Sequence, residues 1–150
     1  MKKNNSTIIW VIVVGVVLVI LFVLPKLKSP NQPGVPNTGV PCLVPNVSLT
    51  QHIHPQLTID VDGVQETIPA NIGLGACERA VHTHDDTYQI HVESQDTRQY
   101  TLGDFMSVWG KTFNRDGYNL ETTVDGQLNQ DPAGILFKDG QQIVMNYKKI

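Results

Sequence analysis

The sequence predicts a small, β-rich α+β domain of antiparallel hairpins with one short helix, preceded by an N-terminal transmembrane helix. Three observations carry that expectation. An apolar run stands near the N-terminus, apolar and polar residues alternate with period two over much of the C-terminal part, and one segment has helical spacing between a capping threonine and a glycine stop.

The apolar run, residues 8–24, holds seventeen residues with no charge. At about 1.5 Å per residue it makes a helix roughly 25 Å long, the short end of what crosses a bilayer core. A helix apolar on every face needs burial all round, and Trp10 stands where an interfacial aromatic belongs. No small-residue cleavage site follows, because the chain continues Pro25-Lys26-Leu27-Lys28, so the segment reads as an uncleaved anchor rather than a signal peptide. Two lysines on each side (Lys2 and Lys3, Lys26 and Lys28) nearly balance the positive-inside rule. The size of the C-terminal part then places the N-terminus inside and the domain outside, a single-pass protein of the cell membrane. Residues 1–7 are the cytoplasmic flank. Residues 25–46, with Pro25, Pro30, Pro33, Pro36, Pro41 and Pro45, form an extended, semi-rigid linker. Residues 47–150 are the extracytoplasmic domain.

That domain carries seven Lys or Arg against fourteen Asp or Glu, a formal charge of −7, whereas the whole chain stands at −3 because four lysines flank the anchor. An acidic surface repels phosphate backbones, which argues against nucleic acid as a partner. The membrane, through residues 8–24, is the expected partner, and a larger membrane complex is a further candidate. Cys42 and Cys77 are the two cysteines. Outside the cytoplasm they are able to form one bridge tying the linker's end to the domain, with two free thiols as the alternative.

Residues 53–61 alternate strictly and read as a half-buried strand, Asp62-Gly63 as a two-residue hairpin turn, and residues 64–69 as the return. Residues 88–92 alternate in the same way. Residues 136–138, Asp139-Gly140 and residues 142–147 read as a final hairpin, and residues 120–124 before Asp125-Gly126 as a further strand. For the helix, Thr101 and Asp104 make a capping-box-like start, Gly110 a stop, and Leu102, Phe105, Met106 and Trp109 one apolar face for the core.

All five histidines fall between positions 52 and 91, as His52-x-His54, His82-x-His84 and His91-x-Glu93. Side chains two apart on a strand share a face, so each pair projects together, here on the polar face away from the core. If the chain folds back antiparallel about residues 85–88, His84 opposes Gln89 and His82 opposes His91. Opposed Cβ atoms lie about 4.5–5.5 Å apart, a spacing that suits two imidazoles on one ion. The candidate ligands are His82, His84 and His91, completed by His52, His54 or Glu93. Imidazoles with a carboxylate suit copper or zinc. Asp85 and Asp86 read as supporting partners or turn residues.

Known metal motifs fit poorly. His82-x-His84-x-Asp86 starts like the metallo-β-lactamase motif, but Thr87 replaces a needed histidine. The cupin pattern wants a glutamate where Tyr88 and Gln89 stand, and Cys77-x4-His82 lacks the methionine of a cupredoxin loop.

The elements Ile68-Pro69-Ala70-Asn71-Ile72-Gly73, His82-Thr83-His84-Asp85, Ile90-His91-Val92-Glu93 and Thr101-Leu102-Gly103-Asp104-Phe105 to Trp109-Gly110 resemble a group of uncharacterised prokaryotic membrane-anchored extracytoplasmic domains that share HxH, IPxNIG, HTHD, IHxE and TLGxF…WG elements. The resemblance spans about residues 52 to 110. It implies one unit with the helix near the histidine strands, and it brings no activity with it.

The leading expectation is thus a membrane-tethered metal-binding domain. The alternatives are a hydrolytic or redox metalloenzyme, with Glu93, Asp85 or Asp86 as general base, and a non-metal interaction module or accessory subunit of a membrane complex. Nothing in the residues requires catalysis.

Overall fold

A computed structural model of the chain describes residues 38–150. The expected flank 1–7, the expected membrane helix 8–24 and most of the expected linker lie outside the described residues. Among the described residues, no helix is long and apolar enough to cross a membrane.

The described residues form a β-rich domain with one short helix. In chain order the strands are β1 (Gln51–Ile53), β2 (Gln56–Val61), β3 (Val64–Glu66), β4 (Val81–His82), β5 (His91–Ser94), β6 (Tyr118–Val124), β7 (Gln127–Asn129) and β8 (Gln142–Lys149). The helix α1 (Leu102–Trp109) follows β5, and a 3-10 turn (Pro132–Gly134) precedes β8. They build a three-stranded sheet, β1-β5-β4, and a five-stranded sheet, β3-β2-β8-β6-β7.

The single strand expected over residues 53–61 is two strands in two sheets. Pro55 has no N–H to donate, so a continuous ladder cannot run through it. The chain leaves the small sheet there: Pro55 O accepts from Ile90 N at 2.9 Å, while His54 N donates to the Asp139 carboxylate at 2.9 Å.

The Asp-Gly turns behave as their chemistry demands. Asp62 and Gly63 take φ 51° and 80°, and Asp125 and Gly126 take 49° and 78°, both central residues being left-handed in each tight turn. The hairpins β2–β3 and β6–β7 follow. Asp139-Gly140 does not close a hairpin. Leu136 bridges Thr101 instead, and both edges of β8 are taken, by β2 in parallel and β6 antiparallel. The large sheet is therefore mixed, where the hairpin pattern predicts an antiparallel one. Its core face is the alternating set Leu57, Ile59, Ile143, Met145 and Tyr147.

The helix forms as expected. Thr101 N donates to Asp104 Oδ2 at 2.9 Å, Asp104 N donates to Thr101 Oγ1 at 3.2 Å, and Gly110 closes the helix at φ 74°. Leu102, Phe105 and Met106 are buried, and Trp109 is half-buried against Phe105.

The domain also begins before Val47. Val40 is buried in the core, Leu43 N donates to Glu78 O at 2.8 Å, and Ala80 N donates to Pro41 O at 3.0 Å. Cys42 and Cys77 are disulfide-bonded, with Cα atoms 5.8 Å apart. The prolines of this stretch limit its own pairing without stopping its neighbours from docking on the domain.

Candidate metal centre

The small sheet gathers the histidines. Its central strand β5 carries His91 and Glu93 on one face. On one side β1 sets His52 opposite Glu93, and on the other β4 sets His82 opposite His91. The His82–His91 pairing is the register that a turn at residues 85–88 implies. His84 is not paired with Gln89, which bridges Gln56 instead. Tyr88 adopts φ 65° and turns the chain away there, which leaves His84 exposed beyond the end of β4.

The rings crowd around His91. Its centroid is 4.5 Å from that of His84, 4.7 Å from His54, 5.6 Å from His82 and 6.4 Å from His52. Two sets of potential ligand atoms converge, each with all its atoms within 4.8 Å of one another: His82, His84, His91 and Glu93, and His52, His54 and His91. All six residues singled out by spacing belong to one set or the other, and His91 belongs to both.

Alternation places His82 on a solvated polar face, yet it is completely buried. The segment around Asn71–Gly73 covers it, bound to the next residue by Asn71 N to Thr83 O at 2.9 Å and Thr83 N to Ile72 O at 3.0 Å. Gly73 makes this approach possible. A Cβ there would lie 2.7 Å from Val81 O and 3.1 Å from His82 Cβ.

The burial also orients the ring. His82 Nδ1 lies 2.7 Å from Arg79 O, and a carbonyl only accepts, so Nδ1 carries the proton. The lone pair of neutral His82 is therefore on Nε2, 3.1 Å from His84 Nε2. Two nitrogens on one tetrahedral zinc, each about 2.0–2.1 Å from the ion, sit at a similar separation. A backbone carbonyl that fixes the far nitrogen is the usual support of a ligating histidine. His91 Nδ1 is buried without a hydrogen-bond partner among the described residues and lies 3.8 Å from Glu93 Oε1. Glu93 Oε1 also meets His52 Nε2 at 3.2 Å.

Two further carboxylates stand beside the histidines without a signal in the sequence. Glu78 Oε1 lies 3.8 Å from His82 Nε2, and Asp139 Oδ1 lies 3.7 Å from His54 Nδ1. Spacing marks neither: Glu78 sits in the loop beside the disulfide, and Asp139 arrives from a turn next to the other sheet. Asp85 accepts from Thr87 N at 3.1 Å and acts as a turn residue. Neither Asp85 nor Asp86 belongs to a converging set. Cys77, being bridged, offers no thiolate.

Burial holds the His82 imidazole below its ordinary value. Burial, then the neighbouring His84, His54 and His82, push His91 down to about 4 against the pull of Glu93. The unfolded chain takes up these protons near 6.5 and the folded one at lower pH, about 4 for His91. Between pH 6.5 and about 4 the unfolded state thus binds more protons at these histidines, so their contribution to stability is fully present above pH 6.5 and is lost as pH falls through that window. The expected result is a melting temperature in chelator that declines from pH 7 to pH 5. A flat profile there would contradict these two shifts.

The fold and site together define a small mixed-sheet β domain with a histidine cluster centred on one strand. Comparison with protein-family models, with curated proteins and with solved structures found no match.

Proposed function

We propose that this chain is a membrane-tethered, extracytoplasmic domain that binds copper or zinc, acting in metal binding or handling. The observation that carries this reading is the convergence of His82, His84, His91 and Glu93 within 4.8 Å, with the His82 lone pair aimed at its neighbour by the Arg79 carbonyl. Three imidazoles and a carboxylate fit either ion, and affinity alone favours copper. Neutral His82 and His91 need no proton displaced before binding. The Cys42–Cys77 bridge supports an oxidising compartment, and the apolar residues 8–24 support the tether. Convergence of the rings also favours a metal over an interaction face, on which they would have no reason to meet.

The test uses the full chain in detergent, purified without a histidine tag, stripped, and offered Cu²⁺ or Zn²⁺ separately. About one ion per chain is expected for a single shared centre. His84→Ala, at an exposed position, should weaken binding with the circular dichroism unchanged. A folded chain that retains neither metal would sink the proposal.

A further inference from the structure

The second converging set shares a ligand with the first. His52 is half exposed and His54 about a third, whereas His82 in the other set has no exposure. The outer set holds no carboxylate of its own, and Asp139 stands beside His54 at 3.7 Å, on the rim. Resting on the metal reading above, we propose that His52, His54 and His91 form a second site for the same ion, in competition with the first for His91. A single copper or zinc ion lands on the outer pair and passes to the inner set with His91 as the common ligand.

The chemistry restricts the two sites to alternate use. A neutral imidazole offers one lone pair, so His91 serves one ion at a time. Two dications a few ångströms apart would also repel strongly at a partly buried site. Glu93 reinforces the exchange: its Oε1 lies 3.2 Å from His52 Nε2 and it also belongs to the inner set, so an ion moving inward draws it away from His52. The transfer is ligand exchange without redox. Bonds from the ion to His52 and His54 nitrogens and to one remaining water break, bonds to His82 Nε2, His84 and Glu93 form, His91 stays, the water leaves to solvent, and the ion keeps its charge. The direction follows from burial. A hydrated ion cannot reach buried His82 before shedding water; His84 is the one exposed ligand of the inner set, whereas half-exposed His52 and partly exposed His54 offer two nitrogens together and replace that water first. The acidic domain draws cations to the rim.

The experiment uses the untagged full chain in detergent with Cu²⁺ alone, reading stoichiometry by dialysis, coordinated nitrogens by electron paramagnetic resonance, and uptake by stopped flow. Wild type should hold one ion. His84→Ala/Glu93→Gln, which cripples the inner set but leaves buried His82 in place, should still hold one, bound more weakly. His52→Ala/His54→Ala should hold one ion with the nitrogen count of the inner set and take it up about tenfold more slowly, because capture beside the inner set raises the local concentration. Two ions on wild type would overturn sharing. No ion on folded His84→Ala/Glu93→Gln would overturn the outer site, and an unchanged uptake rate in His52→Ala/His54→Ala would place the landing on His84 instead. A wild type that holds no ion fails at the metal reading itself, whereas each of these other results fails this inference alone.

Discussion

Gly73→Ala is expected to destabilise the domain by about 3 kcal/mol or more, to lower its melting temperature by roughly 10 °C or more, and to weaken metal binding with it. Two effects add. Gly73 holds φ +79°, a conformation that costs an ordinary L-residue about 1–2 kcal/mol. Its new methyl would also stand 2.7 Å from Val81 O, a backbone atom that moves only if β4 moves. The opposing term is smaller: alanine restricts the unfolded chain, which is worth about 0.4–1 kcal/mol. Strain and clash therefore win. The displaced strand carries His82, whose Cβ lies 3.1 Å from the same point, so the His82–His91 register is disturbed along with the fold. Gly63→Ala is the internal control. Gly63 has a similar φ of +80°, but a methyl added there would meet nothing within 4 Å, so this variant should show the strain cost alone. Equal losses in the two variants would mean that the close approach at Gly73 is not restrictive, and unchanged metal affinity in Gly73→Ala would separate β4 placement from the centre.

Much of the fold is legible in the sequence because it is local. Asp62-Gly63 and Asp125-Gly126, each between two strands that pair with each other, take up left-handed pairs of residues, and Thr101, Asp104 and Gly110 close a helix with their own hydrogen bonds. Counting back from a turn at residues 85–88 sets His82 against His91, which is the pairing found. The same count sets His84 against Gln89, and there the ladder has already ended: the connection between β4 and β5 runs over residues 83–90, with Gln89 bridging Gln56. What the residues do not reveal is long-range. The parallel pairing of β2 with β8 joins segments some eighty residues apart, and hairpin logic has no term for it. Burial of His82 comes from the covering of one strand by the loop at Asn71–Gly73, although the alternation of its neighbours places it on a polar face. Glu78 and Asp139 approach histidines from other parts of the fold, so no period in the sequence marks them. Pro55 is a visible break, but strict alternation on both sides of it imitates one strand, because period two is the same whether the two halves share a sheet or not.

Replacing both cysteines, as Cys42→Ser/Cys77→Ser, is expected to cost the metal-free chain about 3–4 kcal/mol on the loop-entropy account, a melting temperature drop of roughly 10 °C or more. The bridge closes a loop with a sequence separation of 35. Serine pairs are the better probe here, because a reductant would also act on copper. The hydrogen bonds from Leu43 N to Glu78 O and from Ala80 N to Pro41 O survive in the folded variant, so its native contacts should be kept while its unfolded state gains freedom. Those same contacts anchor the segment that delivers Arg79 O to His82 and then continues into β4. Under the proposed function the loss is partly recoverable: an ion present at about a hundred times its dissociation constant stabilises by about 2.7 kcal/mol. That is less than the loop term, so metal should raise the variant's melting temperature without restoring it to that of the metal-free wild type. A variant that melts within a degree or two of wild type in chelator would show that the bridge adds little to what those backbone contacts already hold. One that melts low but binds the ion with wild-type affinity would show that the anchoring of residues 77–82 does not reach the centre.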